Sequence, residues 1–253
     1  MENSFSLSGK KILITGASSG LGRQCAVECS RIGAQLVLMG RNSERLIETL
    51  SLLNGDNHSY YALDLLESGN IPPAIADIVA KVGKLDGVIN SAGISGVYPI
   101  NTMTEERMLY MFKTNVISAI EITREIIKKK NFNPDGGSVV FISSVMGVVG
   151  DKAKSLYSMT KGALIAGTRS LACELASRKI RVNCISPGAV LTPINEKLPY
   201  MADEEARKEL TNKHPLGLGQ PTDVANGAVY LLSDASRWMT GQNLIIDGGY
   251  SIW

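Results

Sequence analysis

Short runs of aliphatic and β-branched residues alternate with longer helical patterns along nearly the whole chain. This alternation is typical of a parallel sheet with helices on both faces, because each crossover between parallel strands needs a long connection. Seven strands are predicted, at Lys11–Thr15, Gln35–Met39, Ser59–Leu63, Gly87–Asn90, Ser138–Ser143, Arg181–Ser186 and Asn243–Ile246. The sequence therefore predicts a doubly wound α/β fold.

Composition sets the broad class of protein. With 253 residues, 44% of them hydrophobic, the chain is long enough to bury a substantial core, and no linker interrupts the alternation. A net charge of +2 favours neither nucleic acid nor a membrane surface as a partner. The N-terminus has no signal-peptide pattern, and no apolar run approaches about 18 residues. We expect a soluble, cytoplasmic protein.

Cysteine and histidine spacing argues against a metal site. The four cysteines form no CxxC pair, and His58 and His214 are far apart, so we expect no metal. Cys25 and Cys29 share a helix face by spacing. They are either two buried small hydrophobic residues or a redox pair, and we favour the first interpretation.

The segment 192–218 breaks the alternation. Pro193, Pro199 and Pro215 flank a short charged stretch, Asp203–Lys213, that reads as a helix. A polar, proline-rich insertion after a strand is a common position for a substrate-covering lid. A surface loop without a role is the alternative.

A glycine-rich turn follows the first strand. Gly16, Gly20 and Gly22 lie between that strand and a helical pattern over Leu21–Ile32. Glycines let the backbone approach a pyrophosphate closely, and the helix N-terminus favours its negative charge. This context favours a nucleotide site over a structural turn. We therefore predict a single Rossmann-type domain over residues 1–253.

The spacing G-x-x-x-G-x-G after a threonine resembles that of the short-chain dehydrogenase/reductase family. Asn90-Ser91-Ala92-Gly93 is similar to the family's N-N-A-G element, with Ser91 in place of an asparagine. Tyr157 and Lys161 match Y-x-x-x-K, Ser144 precedes the tyrosine by thirteen residues, and Asp247-Gly248-Gly249 matches the usual ending. The resemblance runs from Gly9 to Gly249.

The end of the second strand bears on the choice of cofactor. An acidic residue there would bind the adenosine ribose of NAD, but the strand is followed by Arg41, nineteen residues after Gly22. A guanidinium binds a 2′-phosphate instead, so we predict NADP, with NAD possible if Arg41 is only a solvated surface residue.

The resemblance also implies further cofactor contacts. Asp64 and Leu65 would flank the adenine, and Asn90, Ala92 and Gly93 would line the route to the ribose. Thr192 would bind the nicotinamide carboxamide in a pocket shaped by Pro187, Gly188 and Val190. The glycine-rich turn would contribute Gly16, Ser18, Ser19, Gly20, Leu21 and Gly22.

Ketone reduction needs an acid near neutral pH as well as a hydride. A tyrosine has a reference pKa of about 10, which a neighbouring cation lowers, and Lys161 shares a helix face with Tyr157. By resemblance, Tyr157 is the acid and base, Lys161 also holds the nicotinamide ribose, and Ser144 polarises the carbonyl. Asn115 would hold a water that connects the lysine to solvent.

Among subfamilies the chain resembles the 3-oxoacyl-acyl carrier protein reductases. Arg178 lies where those enzymes carry a basic residue for the acyl carrier protein, and Lys128–Lys130 could assist or simply be solvated. Leu218 replaces an arginine of that subfamily. A dehydrogenase or reductase of a free ketone, sugar, polyol or cyclic alcohol therefore stays open, as does a non-catalytic redox sensor or scaffold. The resemblance also implies a homotetramer, with Trp253 packed at an interface.

Overall fold

All seven apolar runs form strands in the computed structural model, which describes residues 3–193 and 203–252. The strands are β1 (Lys11–Thr15), β2 (Gln35–Gly40), β3 (Ser59–Ala62), β4 (Gly87–Asn90), β5 (Gly137–Ile142), β6 (Ile180–Pro187) and β7 (Asn243–Ile246). They pair in parallel in the order β3-β2-β1-β4-β5-β6-β7. The predicted fold is confirmed, and each predicted strand boundary lies within one residue of the observed one.

The central strands are buried on both faces, which is why their sequences are continuously apolar. Along β1, Ile12 and Ile14 belong to one hydrophobic cluster and Leu13 to the other. Along β5, Val140 and Phe141 divide in the same way. The two clusters lie on opposite faces of the sheet, since successive side chains of a strand point in opposite directions.

Helices cover both clusters. They are α1 (Gly20–Arg31), α2 (Ser43–Leu50), α3 (Ile71–Val82), α4 (Glu105–Phe112), α5 (Ser118–Ile126), α6 (Ser155–Leu175), α7 (Glu204–Asn212) and α8 (Pro221–Leu232). The first cluster contains buried residues of α1, α2 and α8, and the second contains buried residues of α3, α5 and α6. Each face of the sheet thus has its own helical layer.

The predictions for the two cysteines and for the cap of α2 have different outcomes. Cys25 and Cys29 are fully buried in the first cluster, and burial raises the pKa of Cys25 to about 12, so the interpretation as small hydrophobic residues is confirmed. Ser43 followed by Leu46, Ile47, Leu50 and Leu53 predicts an amphipathic helix with a serine cap, but the capping residue of α2 is Asn42. Its Oδ1 accepts a hydrogen bond from the Arg45 N–H at 2.8 Å.

The charged stretch after β6 forms α7, capped by Asp203, whose Oδ1 accepts from the Ala206 N–H at 2.7 Å. Pro199 and the rest of 194–202 lie outside the described residues, and so does Trp253. Within residues 3–193 and 203–252, no helix combines the length and apolar character needed to span a membrane. The same residues contain no group of three or more histidine, cysteine or acidic side chains arranged for a metal ion.

The order of strands locates a crevice. β1 lies between β2 and β4 in the sheet. The chain continues from β1 to β2 and β3 at one edge, and then crosses to β4 on the other side of β1 and continues toward the opposite edge. At such a switch point the loops after neighbouring strands diverge and leave a cleft at the carboxyl ends.

Candidate active site

A cavity of about 520 Å³ lies at these carboxyl ends, lined by loops that follow β1 to β6 and by part of α7. Its size is typical of small-molecule sites. Most of the predicted site residues line it: Gly16, Ser18, Ser19, Gly20, Leu21, Gly22, Arg41, Asp64, Leu65, Ala92, Gly93, Ser144, Tyr157, Lys161, Pro187, Gly188, Val190 and Thr192. The fold therefore brings together residues that are up to 176 positions apart, from Gly16 to Thr192.

Asn90 is the last residue of β4. Its side chain is buried, and its Nδ2 donates to Thr123 Oγ1 of α5 at 3.0 Å. Asn90 is not among the residues that line the cavity. The Asn90 side chain therefore faces the helical layer, and the contribution of this residue to the route to the ribose stays a prediction.

The glycine-rich turn is closely packed, and this packing excludes larger residues. A Cβ on Gly16 would lie 2.8 Å from Ala92 Cα, and one on Gly22 would lie 2.4 Å from the Gly16 carbonyl oxygen. Thr15 Oγ1 holds the opposite wall by accepting from the N–H groups of Ser91 and Ala92, at 3.1 and 3.2 Å. The loops after β1 and β4 are thereby fixed against each other.

The start of α1 fits an anion. Ser19 at its N-cap makes no side-chain capping bond, and no acidic residue stands in the first turn. The first N–H groups of a helix lack partners within the helix, and the helix dipole places partial positive charge there. With the close-packed glycines, this terminus provides the donors that a pyrophosphate requires.

Two arginines line the cavity near the end of β2. Arg41 directly follows this strand, and Arg45 lies in the first turns of α2. Arg45 is absent from the sequence predictions. The structure thus adds a second guanidinium to this part of the cavity.

Tyr157 and Lys161 lie on one face of α6. Lys161 is only 5% exposed, its Nζ lies 5.6 Å from the centroid of the Tyr157 ring, and it donates to the Ile142 carbonyl oxygen at 2.8 Å. Burial lowers the pKa of Lys161 from 10.5 to about 8, so the amine is still mostly protonated at neutral pH. A buried ammonium beside a phenol is suited to stabilise a phenolate.

The two serines that follow β5 have different partners. Ser144 lines the cavity and its Oγ accepts from the Met146 N–H at 3.2 Å. Ser143 Oγ donates to the Lys161 carbonyl oxygen at 2.9 Å, which attaches the end of β5 to α6. Ser144 and Tyr157 therefore line one cavity, with the end of β5 held against the helix that carries Tyr157.

Asn115 lies behind the cavity, in a π-helical turn (Lys113–Ile117) between α4 and α5. Its Oδ1 accepts from the Ile94 N–H at 2.8 Å, and its Nδ2 lies 2.9 Å from the Ile94 carbonyl oxygen and 3.1 Å from Thr160 Oγ1. Asn115 thus joins the loop after β4 to α6. No pattern in the sequence indicates the π-helical turn, which directs this side chain inward.

Lys154 is a second buried lysine at the site, and it is also absent from the sequence predictions. It is 6% exposed, lines the cavity, and its Nζ lies 5.9 Å from the Tyr157 ring centroid. Burial lowers its pKa, while the carboxylate of Asp151 acts in the opposite direction. The positions 154, 157 and 161 share a helix face, which was a recognisable pattern.

The far wall comes from the segment 192–218 and the C-terminus. Glu209 and Leu210 of α7 line the cavity together with His214 and Tyr250. The His214 and Tyr250 rings are stacked with centroids 4.7 Å apart, and His214 Nε2 accepts from the Ala189 N–H at 3.1 Å. The described part of this segment therefore borders the site.

Comparisons with known proteins show the family to which the chain belongs. A family model described as enoyl-(acyl carrier protein) reductase matches residues 16–251. The 3-oxoacyl-[acyl-carrier-protein] reductase of Thermotoga maritima is 34% identical over 97% of this chain and 99% of its own length. Glucose 1-dehydrogenase of Gluconobacter oxydans is 32% identical over 97% of this chain and 93% of its own length.

One solved structure that resembles the chain contains a bound cofactor. A protein of Agrobacterium tumefaciens described as a 2-deoxy-d-gluconate 3-dehydrogenase, with bound NADP, matches with a TM-score of 0.89. It is 31% identical, and the match covers 100% of both chains. The sequence and structural matches extend over nearly the whole chain. The chain belongs to the short-chain dehydrogenase/reductase family of NAD(P)-binding oxidoreductases.

Proposed function

We propose that this protein is an NADP(H)-dependent oxidoreductase that interconverts a ketone and a secondary alcohol. The observation that carries the proposal is the Tyr157 ring 5.6 Å from the buried Lys161 ammonium, in the same cavity as the uncapped start of α1. One end of the cavity has the donors for a pyrophosphate. The other end has an acid, a cation and a serine hydroxyl.

Each residue has a distinct task in reduction. The nicotinamide, when bound, supplies the hydride. Tyr157 gives its phenolic proton to the developing alkoxide, and Lys161 stabilises the phenolate that remains. Ser144 orients and polarises the carbonyl through a hydrogen bond. In oxidation the phenolate of Tyr157 takes the proton back.

The remaining predicted residues would hold the cofactor. The turn from Gly16 to Gly22 would bind the pyrophosphate, Asp64 and Leu65 would flank the adenine, and Thr192 would bind the carboxamide. Asn115 already binds the Ile94 backbone with its amide. We propose that it positions this wall, and its role in holding a water remains a prediction.

The preference for NADP would rest on Arg41 and Arg45. A hydrogen bond to a charged group contributes about 1.5–3 kcal/mol, or about 10- to 100-fold in affinity. We expect Arg41→Ala to weaken NADPH binding by that factor and NADH binding much less, with Arg45→Ala acting in the same direction. Dissociation constants from quenching of protein fluorescence would measure both.

Arg31→Ala is the matched control, because Arg31 is exposed on α1 and pairs with Glu28. It should leave both affinities unchanged. Equal losses for NADPH and NADH in Arg41→Ala would refute recognition of the 2′-phosphate.

Two substrate classes are supported by different observations. The Thermotoga maritima relative favours a 3-oxoacyl thioester on an acyl carrier protein. Here, however, Arg178 donates to the Ile127 carbonyl oxygen at 2.5 Å and Lys128 pairs with Glu125, so both basic groups have partners within the chain. Glucose 1-dehydrogenase and the Agrobacterium tumefaciens structure favour a sugar-like alcohol.

We also propose a homotetramer. Exposed apolar side chains on α4 and the following turn, Leu109 and Ile117, and near the C-terminus, Ile245 and Ile252, support it. Light scattering coupled to size-exclusion chromatography would give the mass. A monomer at micromolar concentration would refute this assembly.

A substrate screen with both cofactors tests the proposed reaction. Oxidation of NADPH by a 3-oxoacyl thioester supports the first class, and turnover of sugars, polyols or small ketones supports the second. An enoyl thioester belongs in the panel, because the matching family model is described as an enoyl reductase. Tight cofactor binding without turnover on the whole panel would favour a sensor or scaffold and refute the enzymatic proposal.

A further inference from the structure

Arg23 joins the glycine-rich turn to α2, although Arg23 itself does not line the cavity. It lies in the first turn of α1. Its Nη2 donates to the Ser18 carbonyl oxygen at 2.7 Å and to Glu48 Oε2 at 3.0 Å. Its Nε donates to Thr49 Oγ1 at 3.0 Å. One guanidinium thus binds both the turn that follows β1 and the helix that follows β2.

Thr49 completes this connection. It is fully buried, and its Oγ1 lies 2.9 Å from the Ala17 carbonyl oxygen and 3.0 Å from the Arg45 carbonyl oxygen. Ala17 belongs to the glycine-rich turn, and Arg45 belongs to α2. Arg23 and Thr49 together therefore hold α2 against the turn.

α2 depends on these polar contacts for its position. It has eight residues, and its buried side chains are Leu46 and Thr49. A helix this short is marginal by itself, and most helices in proteins are stabilised by packing of an apolar face. Because α2 buries so little, hydrogen bonds to Arg23 decide much of where it lies.

The position of α2 matters because it carries the two arginines near the end of β2. Arg41 precedes the helix by two residues and Arg45 lies within it, and both exposed side chains line the cavity. A hydrogen bond weakens beyond about 3.2 Å, so a shift of α2 by about 1 Å would separate a guanidinium from a phosphate oxygen. NADPH and NADH differ only in that 2′-phosphate. A shift of α2 would therefore affect NADPH selectively.

Glu48 gives Arg23 a second effect. This carboxylate lies three residues after Arg45 on α2 and is paired with Arg23 at 3.0 Å. Side chains three residues apart are neighbours on a helix surface. Without Arg23, Glu48 would pair with Arg45 instead and compete with the phosphate for that guanidinium.

We infer that Arg23 is a specificity-determining positioning residue, which holds α2 and Glu48 so that Arg41 and Arg45 select NADPH over NADH. This inference rests on the proposed preference for NADP and names the residue that maintains it. Arg23 acts through the two arginines and not by contact with the cofactor.

The experiment measures dissociation constants of NADPH and NADH by calorimetry, and the readout is their ratio. A loss of stability, or of a contact common to both cofactors, changes both constants and leaves the ratio unchanged. The variants are Arg23→Met, Thr49→Val, and Arg23→Met combined with Glu48→Gln. Arg31→Met is the matched control, because Arg31 also lies on α1 and pairs with a glutamate, Glu28, at 2.9 Å.

The wild type should favour NADPH. Arg23→Met should reduce this preference by about tenfold, the lower end of the effect of one charged hydrogen bond, mainly through weaker binding of NADPH. Thr49→Val should act in the same direction. Adding Glu48→Gln to Arg23→Met should restore part of the preference, and Arg31→Met should keep the wild-type ratio.

A wild-type ratio in Arg23→Met would overturn the inference, even if both affinities fall, because that result indicates a structural role only. If Arg23→Met does not fold, Thr49→Val takes its place, and an unchanged ratio there has the same meaning. A double variant no closer to the wild type than Arg23→Met would overturn the effect assigned to Glu48.

Failure of the proposed preference itself has a different signature. Equal affinities of the wild type for NADPH and NADH would refute that preference, and the inferred role of Arg23 with it. A wild type that favours NADPH, with the preference lost in Arg41→Ala and kept in Arg23→Met, would refute the role of Arg23 alone.

Discussion

Replacing Lys161 with methionine separates the contribution of this lysine to activity from its effect on the stability of the fold. Lys161 is 5% exposed, and burial lowers its pKa from 10.5 to about 8. Because each tenfold change in proton affinity corresponds to about 1.4 kcal/mol, the lowered pKa means that keeping the ammonium in the fold costs on the order of 3 kcal/mol. Methionine has a similar length and no charge, so Lys161→Met removes that cost and also the cation that stabilises the Tyr157 phenolate.

The sign follows from proton linkage. Below pH about 8 both the folded and unfolded states hold the proton, and the full cost is present. Between pH 8 and 10.5 the folded state has lost the proton and the unfolded state still binds it, so the wild type gains stability as pH rises. At pH 10 about 1 kcal/mol of the cost remains. The advantage of Lys161→Met over the wild type should therefore shrink by about 2 kcal/mol between pH 7 and pH 10.

Urea unfolding without added cofactor, at pH 7 and pH 10, measures this difference. The variant also loses the hydrogen bond to the Ile142 carbonyl oxygen. That loss changes the free energy of unfolding by the same amount at pH 7 and at pH 10, so it does not affect the difference between them. Lys152→Met, at an exposed lysine, corrects for the change in net charge. If the free energies of unfolding of Lys161→Met and wild type differ by the same amount at pH 7 and pH 10, the electrostatic account is refuted. Undiminished turnover in the variant would also refute it.

Three further predictions concern the turn, the acid and the wall behind the cavity. Tyr157→Phe should lower kcat by at least about 100-fold with cofactor affinity nearly unchanged, and an equal loss of binding would argue against a purely chemical role. Gly22→Ala should lower cofactor affinity and cost about 1–3 kcal/mol in urea unfolding, because its Cβ meets the Gly16 carbonyl oxygen, whereas Gly69→Ala in open space should be neutral. Asn115→Ala should cost about 1–3 kcal/mol for each Ile94 backbone group left without a partner, and an unchanged urea midpoint would contradict that.

The predictions that succeeded rest on short-range pattern. The strands were found to within one residue because buried parallel strands are continuously apolar. Tyr157 and Lys161 could be paired because four residues make about one turn of a helix. The sequence does not distinguish Ser43 from Asn42 as the cap of α2, because asparagine and serine cap helices almost equally well and the two residues are adjacent.

Other features depended on packing between distant parts of the chain. Asn90 ends a strand whose sequence does not reveal which helical layer its side chain meets, and it bonds to Thr123. Asn115 reaches Ile94 and Thr160 through a π-helical turn that nothing in the composition indicates. Whether Arg45 lines the cavity depends on which loops meet at the end of β2.

By itself, the sequence of this protein determined the succession of strands and helices, the glycine-rich turn and the spacing of the tyrosine and lysine. These are set by local periodicity and by backbone conformations that only some residues adopt. The tertiary structure decided which charges share one cavity, and above all that Lys154 is buried beside Tyr157. The cost of burying a charge depends on all the elements packed around it, and a linear pattern does not contain that information.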